Sequence, residues 1–260
     1  MKQSKWISFF FLFLVGCVPA FSSSSEMSLP SLEQSIPSLC SEVIPSESFY
    51  LDFYNLNDFH GALAYNPSSD EIGITRLASY FNEQKGNNEN TVLLSSGDMW
   101  QGSADSNITR GRLVVDAMNQ LGFEAMAIGN HEFDWTDAVI TTNAERSNFP
   151  LLGINIIDKR TQQRAAFAQP YTMIQRSGVR IGIIGTIGPS LESSILQSAV
   201  EHYDFVPYGT LVQEASTYLK DQGAKLIILL NHDGSVNPDV LPYVDAVFNG
   251  HTHRYDVSTV

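Results

Sequence analysis

From Phe49 onward, short apolar runs alternate with segments whose apolar residues recur at helical spacing. The runs "FYLDFYNL", "TVLLSS", "AMAIG", "KLIILL" and "DAVFNG" are too short for helices and read as strands. Between them, "IGITRLASYFNEQ", "GRLVVDAMNQLG" and "LVQEASTYLKDQG" place their apolar residues on one face of a helix, the second ending at Gly122. The segment "YTMIQRSGVRIGIIGTIG" reads as a hairpin turning at Ser177 and Gly178. Together these predict a layered α/β fold with both parallel and antiparallel strand pairs, because some neighbours are joined by helices and others by tight turns.

The N-terminal pattern differs. Lys2 and Lys5 precede the apolar run "WISFFFLFLV", which is short for a membrane span and ends at small residues, as a signal peptide does. Residues 1–16 are therefore expected to direct export to the cell envelope, either the periplasm or the cell surface. The run closes on "LVGC", Leu14 to Cys17, which resembles a bacterial lipobox and implies a lipid anchor at Cys17 as the sole membrane attachment. An ordinary cleavage site beside a passing Cys is the plainer alternative. Residues 17–48 are rich in Ser and Pro without a sustained period, as in a tether, and residues 49–260 form the expected globular domain. Cys40 in the tether is the only other cysteine, so a disulfide framework is excluded.

The strand-ending residues carry the chemistry. Asn57, Asp58 and His60 follow the first strand, Gly97 and Asp98 the second, and Asn130 and His131 the third. Asn231, His232 and Asp233 follow "KLIILL", and Asn249, Gly250, His251 and His253 follow "DAVF". Loops at the carboxyl ends of strands converge on one edge of an α/β sheet, so these five segments predict one cluster. Five of the six histidines lie in them, and only His202, read as a surface residue, does not. Imidazole with carboxylate suits divalent Zn, Mn, Fe or Co. The one-residue spacing of Asp58 with His60, and of His251 with His253, lets each pair face the same way on an extended segment. Seven groups, Asp58, His60, Asp98, Asn130, His232, His251 and His253, exceed what one ion needs and fit two ions sharing a bridging carboxylate.

Size and charge narrow the partners. A chain of 260 residues that is 43% hydrophobic and 17% charged is globular. Its formal charge of −13, two units more negative without Lys2 and Lys5, repels polymeric nucleic acid but permits a small anion in a cationic pocket.

The ordered blocks "DFH", "GD", "GNHEFD", "NH" and "GHTH", from about Asp52 to His253, resemble the signature of the calcineurin-like metallophosphoesterases. The longer blocks "LNDFHGAL", "SSGDMWQGSADSN" and "AIGNHEFDW" resemble the 5′-nucleotidase branch. The resemblance implies a four-layer α/β/β/α sandwich and hydrolysis of nucleoside 5′-monophosphates or related nucleotides at two divalent ions. It puts Asp58, His60 and His253 on one ion and Asn130, His232 and His251 on the other, with Asp98 bridging. Asn130 and His131 then face the substrate phosphate, and Asp134 holds the His131 ring, although Asp134 is also well placed to cap the helix in "WTDAVITTNAE". Glu132 is read as a solvated or supporting carboxylate, and Trp100 and Phe133 as packing or pocket lining. Members of the branch carry a second, nucleotide-specificity domain; only "RYDVSTV" follows His253, so that domain and the last strands of the catalytic sheet are expected to be absent. Two other readings remain open: a phosphoesterase of the same superfamily acting on cyclic nucleotides or nucleotide sugars, and an inert truncated surface lipoprotein.

Overall fold

A computed structural model describes residues 48–254 and Val257. The leader, Cys17, Cys40 and the tether up to residue 47 lie outside the described residues. The first half of the domain runs β1 (Asp52–Asn55), α1 (Ile74–Asn87), β2 (Thr91–Ser95), α2 (Ala104–Thr109), α3 (Arg112–Leu121), β3 (Phe123–Ala127), α4 (Asp137–Arg146) and β4 (Leu151–Leu152). The second half runs β5 (Ile156–Asp158), β6 (Gln163–Arg164), β7 (Tyr171–Arg176), β8 (Val179–Ile187), α5 (Gln197–Val200), β9 (Tyr203–Phe205), α6 (Gly209–Asp221), β10 (Leu226–His232) and β11 (Ala246–Asn249).

Strands β1, β2, β3 and β4 pair in that order as a parallel sheet. A second sheet has the order β11, β10, β8, β7, parallel except for the β7–β8 hairpin, whose turn places Ser177 at φ 43° and Gly178 at φ 80°. A small antiparallel sheet, β6, β5, β9, flanks them; its strands of two or three residues carry no period that the sequence could announce.

Alternation along the strands assembles the layers. In β2, Val92 and Leu94 point one way and meet Ile181 and Ile183 of β8 and Ile228 and Leu230 of β10, so the two large sheets pack face to face. Leu93, between them, points the other way and packs with Leu77 and Phe81 of α1 and Val114, Val115 and Met118 of α3. On the far side, Ile227 and Leu229 of β10 meet Leu211, Val212, Ala215 and Leu219 of α6. The result is the α/β/β/α sandwich, with strands apolar on both faces because both faces are covered. Each such buried aliphatic side chain contributes roughly 1.5–3 kcal/mol. The sheets approach most tightly where a Cβ on Gly185 would stand 2.3 Å from the Leu152 Cβ. Helix α3 stops where the pattern predicts, at Gly122, which takes the left-handed φ of 72° that glycine adopts without strain.

Because β1, β2, β3, β10 and β11 are all parallel within their sheets, their carboxyl ends emerge along one edge of the sandwich. The polar residues that follow these strands meet there. Among the described residues, no helix is long and apolar enough to cross a membrane.

Candidate metal centre

Two clusters of ligating atoms form at that edge, each with its atoms within 4.8 Å of one another: Asp58 with His60 and His253, and Asp98 with His232 and His251. In the first, Nε2 of His60 faces Nε2 of His253 at 3.2 Å, and His253 Nε2 lies 3.3 Å from Asp58 Oδ1. His60 Nδ1 lies 2.8 Å from the Gln101 carbonyl oxygen, which accepts only, so Nδ1 carries the proton and Nε2 presents a lone pair to the cluster.

The second cluster is deeper. His232 and Asp98 are buried, and Nε2 of His232 stands 3.0 Å from Asp98 Oδ2. His232 Nδ1 donates to the Ser96 carbonyl at 2.7 Å, again turning Nε2 inward. Asn130 completes the group, with Oδ1 3.1 Å from both His232 Nε2 and His251 Nδ1. Asp98 Oδ1 accepts the His131 N–H at 2.8 Å, whereas its Oδ2 is buried without a well-aligned donor. Burial opposes charge on Asp98, yet His232 and the His131 amide prevail and hold its carboxyl below the usual range. Burial likewise opposes charge on His232, and the Asp98 carboxylate overrides it and raises the imidazole pKa. Burial, then His232, lowers that of His251, which favours the neutral, ligating form.

These donor sets fit divalent cations. Imidazole lone pairs, a carboxylate and an amide oxygen converge at separations close to the roughly 3 Å between adjacent ligands in a site with bonds of about 2.1 Å. The sets mix nitrogen and oxygen, as the sequence predicts, and Asn130 falls with His232 and His251.

The backbone at the ligands corrects one expectation. Asp58 (φ 51°), His60 (φ 49°), His251 (φ 77°) and His253 (φ 53°) are left-handed rather than extended, and so is Asp98 (φ 55°). Each pair shares a side because left-handed residues alternate with ordinary ones in a coiled loop, not because a strand alternates. Ten non-glycine residues among those described have positive φ, and five of them are these candidate ligands. Such conformations cost on the order of 1–3 kcal/mol each and persist where surrounding contacts enforce them. Here the Asp58 and His60 amides donate to the Gly97 and Asp98 carbonyls at 3.0 and 3.1 Å, and the His251 amide donates to Asp58 Oδ2 at 3.0 Å.

Glycines make room for His232. A Cβ on Gly97 or on Gly250 would lie 2.9 Å from His232 Nδ1, and one on Gly129 would lie 2.9 Å from its Cε1 and 2.3 Å from Asp98 Oδ1. The glycine before Asp98, Asn130 and His251 in each block is thus a steric requirement of the buried ring. Gly129→Ala should push Asp98 and His232 apart and destabilise the domain by roughly 1–3 kcal/mol; a parent-like urea midpoint together with parent-like Mn(II) uptake would contradict this packing.

His131 and Asp134 stand beside the clusters. Residues His131–Trp135 form a 3₁₀ turn, in which side chains three apart eclipse, and this brings His131 Nδ1 to 2.8 Å from Asp134 Oδ2. That hydrogen bond, despite partial burial, raises the His131 pKa to about 8, so the ring is protonated at neutral pH. The ring centroid lies 5.1 Å from that of His60. Helix α4 begins after Thr136, so Asp134 serves the imidazole and does not cap the helix.

The other residues singled out in the sequence take structural places. Glu132 is not solvated: it is fully buried and accepts the N–H groups of Asp98, Met99 and Gly129. Burial and the Asp98 charge push its carboxyl up to about 7 against the pull of those amides. Trp100 and Phe133 are fully buried packing residues, and His202 is a surface residue paired with Glu201. Asn231, read only as a strand end, joins Thr186 to Asn249 across three adjacent strands and anchors the ends that present His232 and His251.

Known proteins resemble this chain over most of the described domain. The calcineurin-like phosphoesterase family profile matches residues 51–255. A snake venom 5′-nucleotidase of Gloydius brevicauda is 29% identical over 227 residues, covering 82% of this chain and 38% of its own length. A 2′,3′-cyclic-nucleotide 2′-phosphodiesterase/3′-nucleotidase of Haemophilus influenzae is 26% identical, covering 72% of this chain and 33% of its own. The crystal structure of a 5′-nucleotidase precursor from Thermus thermophilus superposes with a TM-score of 0.62 at 26% identity, over 71% of this chain and 37% of that one. The chain thus spans about two fifths of the length of the first curated relative. With the family profile matched over most of its length and the ligand clusters formed at the predicted strand ends, the chain belongs to the calcineurin-like phosphoesterases.

Proposed function

We propose that this domain hydrolyses phosphate esters of nucleotides, nucleoside 5′-monophosphates foremost, with two divalent ions held at the adjoining clusters. The observation that carries the proposal is the pair of clusters, Asp58/His60/His253 and Asp98/His232/His251, with the hydrogen-bonded His131–Asp134 pair beside them. Ions bound there supply Lewis acidity toward a phosphoryl oxygen and make water a better nucleophile near neutral pH. Asp98, held ionised despite burial, stands in the deeper cluster, and it is the carboxylate that the family resemblance makes the bridge between the two ions. Asn130, whose Oδ1 faces His232 and His251, keeps its amide N–H groups for a phosphate oxygen. His131, with Nδ1–H held by Asp134, turns Nε2–H toward the substrate, where it stabilises developing charge or protonates the leaving oxygen. An exported, envelope-bound enzyme with its lipid at Cys17 follows from the leader and lipobox-like segment, and the catalytic domain from residue 49 onward is the part that acts.

The relative acting on 2′,3′-cyclic nucleotides supports a second reading, in which a cyclic phosphodiester is the better substrate. Phosphate release from AMP and from an aryl phosphate, and ring opening of 2′,3′-cyclic AMP, measured on the full chain with added Mn(II), distinguish the two. Release from AMP or the aryl phosphate that depends on Mn(II) is expected. Faster turnover of the cyclic ester moves the assignment to the second reading, and no turnover of any ester by metal-loaded protein refutes both.

A further inference from the structure

Glu132 is a buried carboxyl group to which the chemistry above gives no task. It lies two residues beyond Asn130, but its carboxylate belongs to neither ligand cluster. Oε2 accepts the N–H of Asp98 at 2.9 Å and that of Gly129 at 2.8 Å, while Oε1 accepts the N–H of Met99 at 2.9 Å. The first and third of these amides belong to the loop leaving β2, and the second to the loop leaving β3. One carboxylate therefore ties the segment carrying Asp98 to the segment carrying Asn130. The His131 amide closes the tie in the opposite direction by donating to Asp98 Oδ1 at 2.8 Å. All three partners of Glu132 are donors. Only an acceptor-only group satisfies them, because a Gln amide in either orientation turns its own NH2 toward at least one of those N–H groups. An Asp carries the same charge but is one methylene too short to reach both loops.

We propose that Glu132 is a positioning residue that fixes Asp98 against Asn130 before any ion binds. The tie itself rests on contacts within the chain, and its effect on metal binding rests on the proposed dinuclear site. The deeper cluster is the one it organises, since Asp98 and Asn130 both contact His232 there. Preorganised ligands lower the cost of ordering the site on binding, and supporting partners of this kind typically contribute 10–100-fold in metal affinity.

The test compares the full chain with E132Q and E132D. Amide hydrogen exchange is read at Asp98, Met99 and Gly129, Mn(II) affinity by calorimetry, and the coupling of the Mn pair by electron paramagnetic resonance. In folded E132Q, the three amides should exchange at least about tenfold faster, Mn(II) should bind about 10–100-fold more weakly, and the spin-coupled signal should be lost. On the same reading kcat falls while KM stays close to the parent's, and E132D lies between the two. Parent-like exchange at these amides, or parent-like Mn(II) affinity and coupling, overturns the proposal. If E132Q does not fold, E132D decides by the same readouts. If the parent itself takes up no Mn(II), the dinuclear site is refuted, and exchange at the three amides alone decides whether the tie exists.

Discussion

Replacing Asp98 with Ala should lower phosphate release by about 10³-fold or more and empty the deeper cluster of metal. Asp98 is 1% exposed, and its two oxygens serve different partners: Oδ1 accepts the His131 amide, and Oδ2 faces His232. Removing the carboxylate deletes the anion of the deeper cluster and leaves the His131 amide without its acceptor, at a cost of roughly 1–3 kcal/mol. Asp98→Asn separates the effects, because it keeps the shape and one acceptor oxygen while losing the charge. It should retain most of the parent's stability and still fail to bind metal. Elemental analysis beside phosphate release reads both, and normal metal content with unchanged turnover in Asp98→Ala would remove Asp98 from the site.

The second large effect is expected at His131, but with a different signature. His131→Ala should reduce turnover by about 10²–10⁴-fold while the metal content stays that of the parent. The ring lies beside the clusters and not in either of them: its Nδ1 is hydrogen-bonded to Asp134, which raises the imidazole pKa to about 8 and favours the protonated form. An imidazolium is a poor ligand and a good donor to a phosphoryl or leaving oxygen. Asp134→Asn should follow in the same direction with a smaller loss, since it weakens the hold on the ring without removing it. Metal loss in His131→Ala would make this residue a ligand instead.

The location of the site is legible in the sequence for a simple physical reason. A strand buried on both faces is a continuous apolar run, so His, Asp and Asn directly after it stand out, and parallel strands deliver their ends to one edge. Within those runs neighbouring residues, Val92 and Leu93 or Ile227 and Ile228, turn to different layers, as alternate residues of a strand must. The backbone of the ligand loops is not legible, because Asp58, His60, His251 and His253 adopt left-handed angles that non-glycine residues adopt uncommonly, Asp and His more readily than most, and that the surrounding hydrogen bonds enforce. Of the two readings open for Glu132, solvated or supporting, the structure shows the second, which the sequence could not choose because a charged side chain in a polar loop resembles a solvated one until the two loops it joins are brought together. The small sheet of β5, β6 and β9 and the short helix α2 leave no periodic trace at all.

Two divalent ions are expected, one at Asp58/His60/His253 and one at Asp98/Asn130/His232/His251. Anomalous diffraction from crystals of the full chain grown with Mn(II) tests this most directly. Two adjacent anomalous peaks, one within coordination distance of each cluster, are the predicted result. A single peak, or peaks away from these side chains, would contradict it.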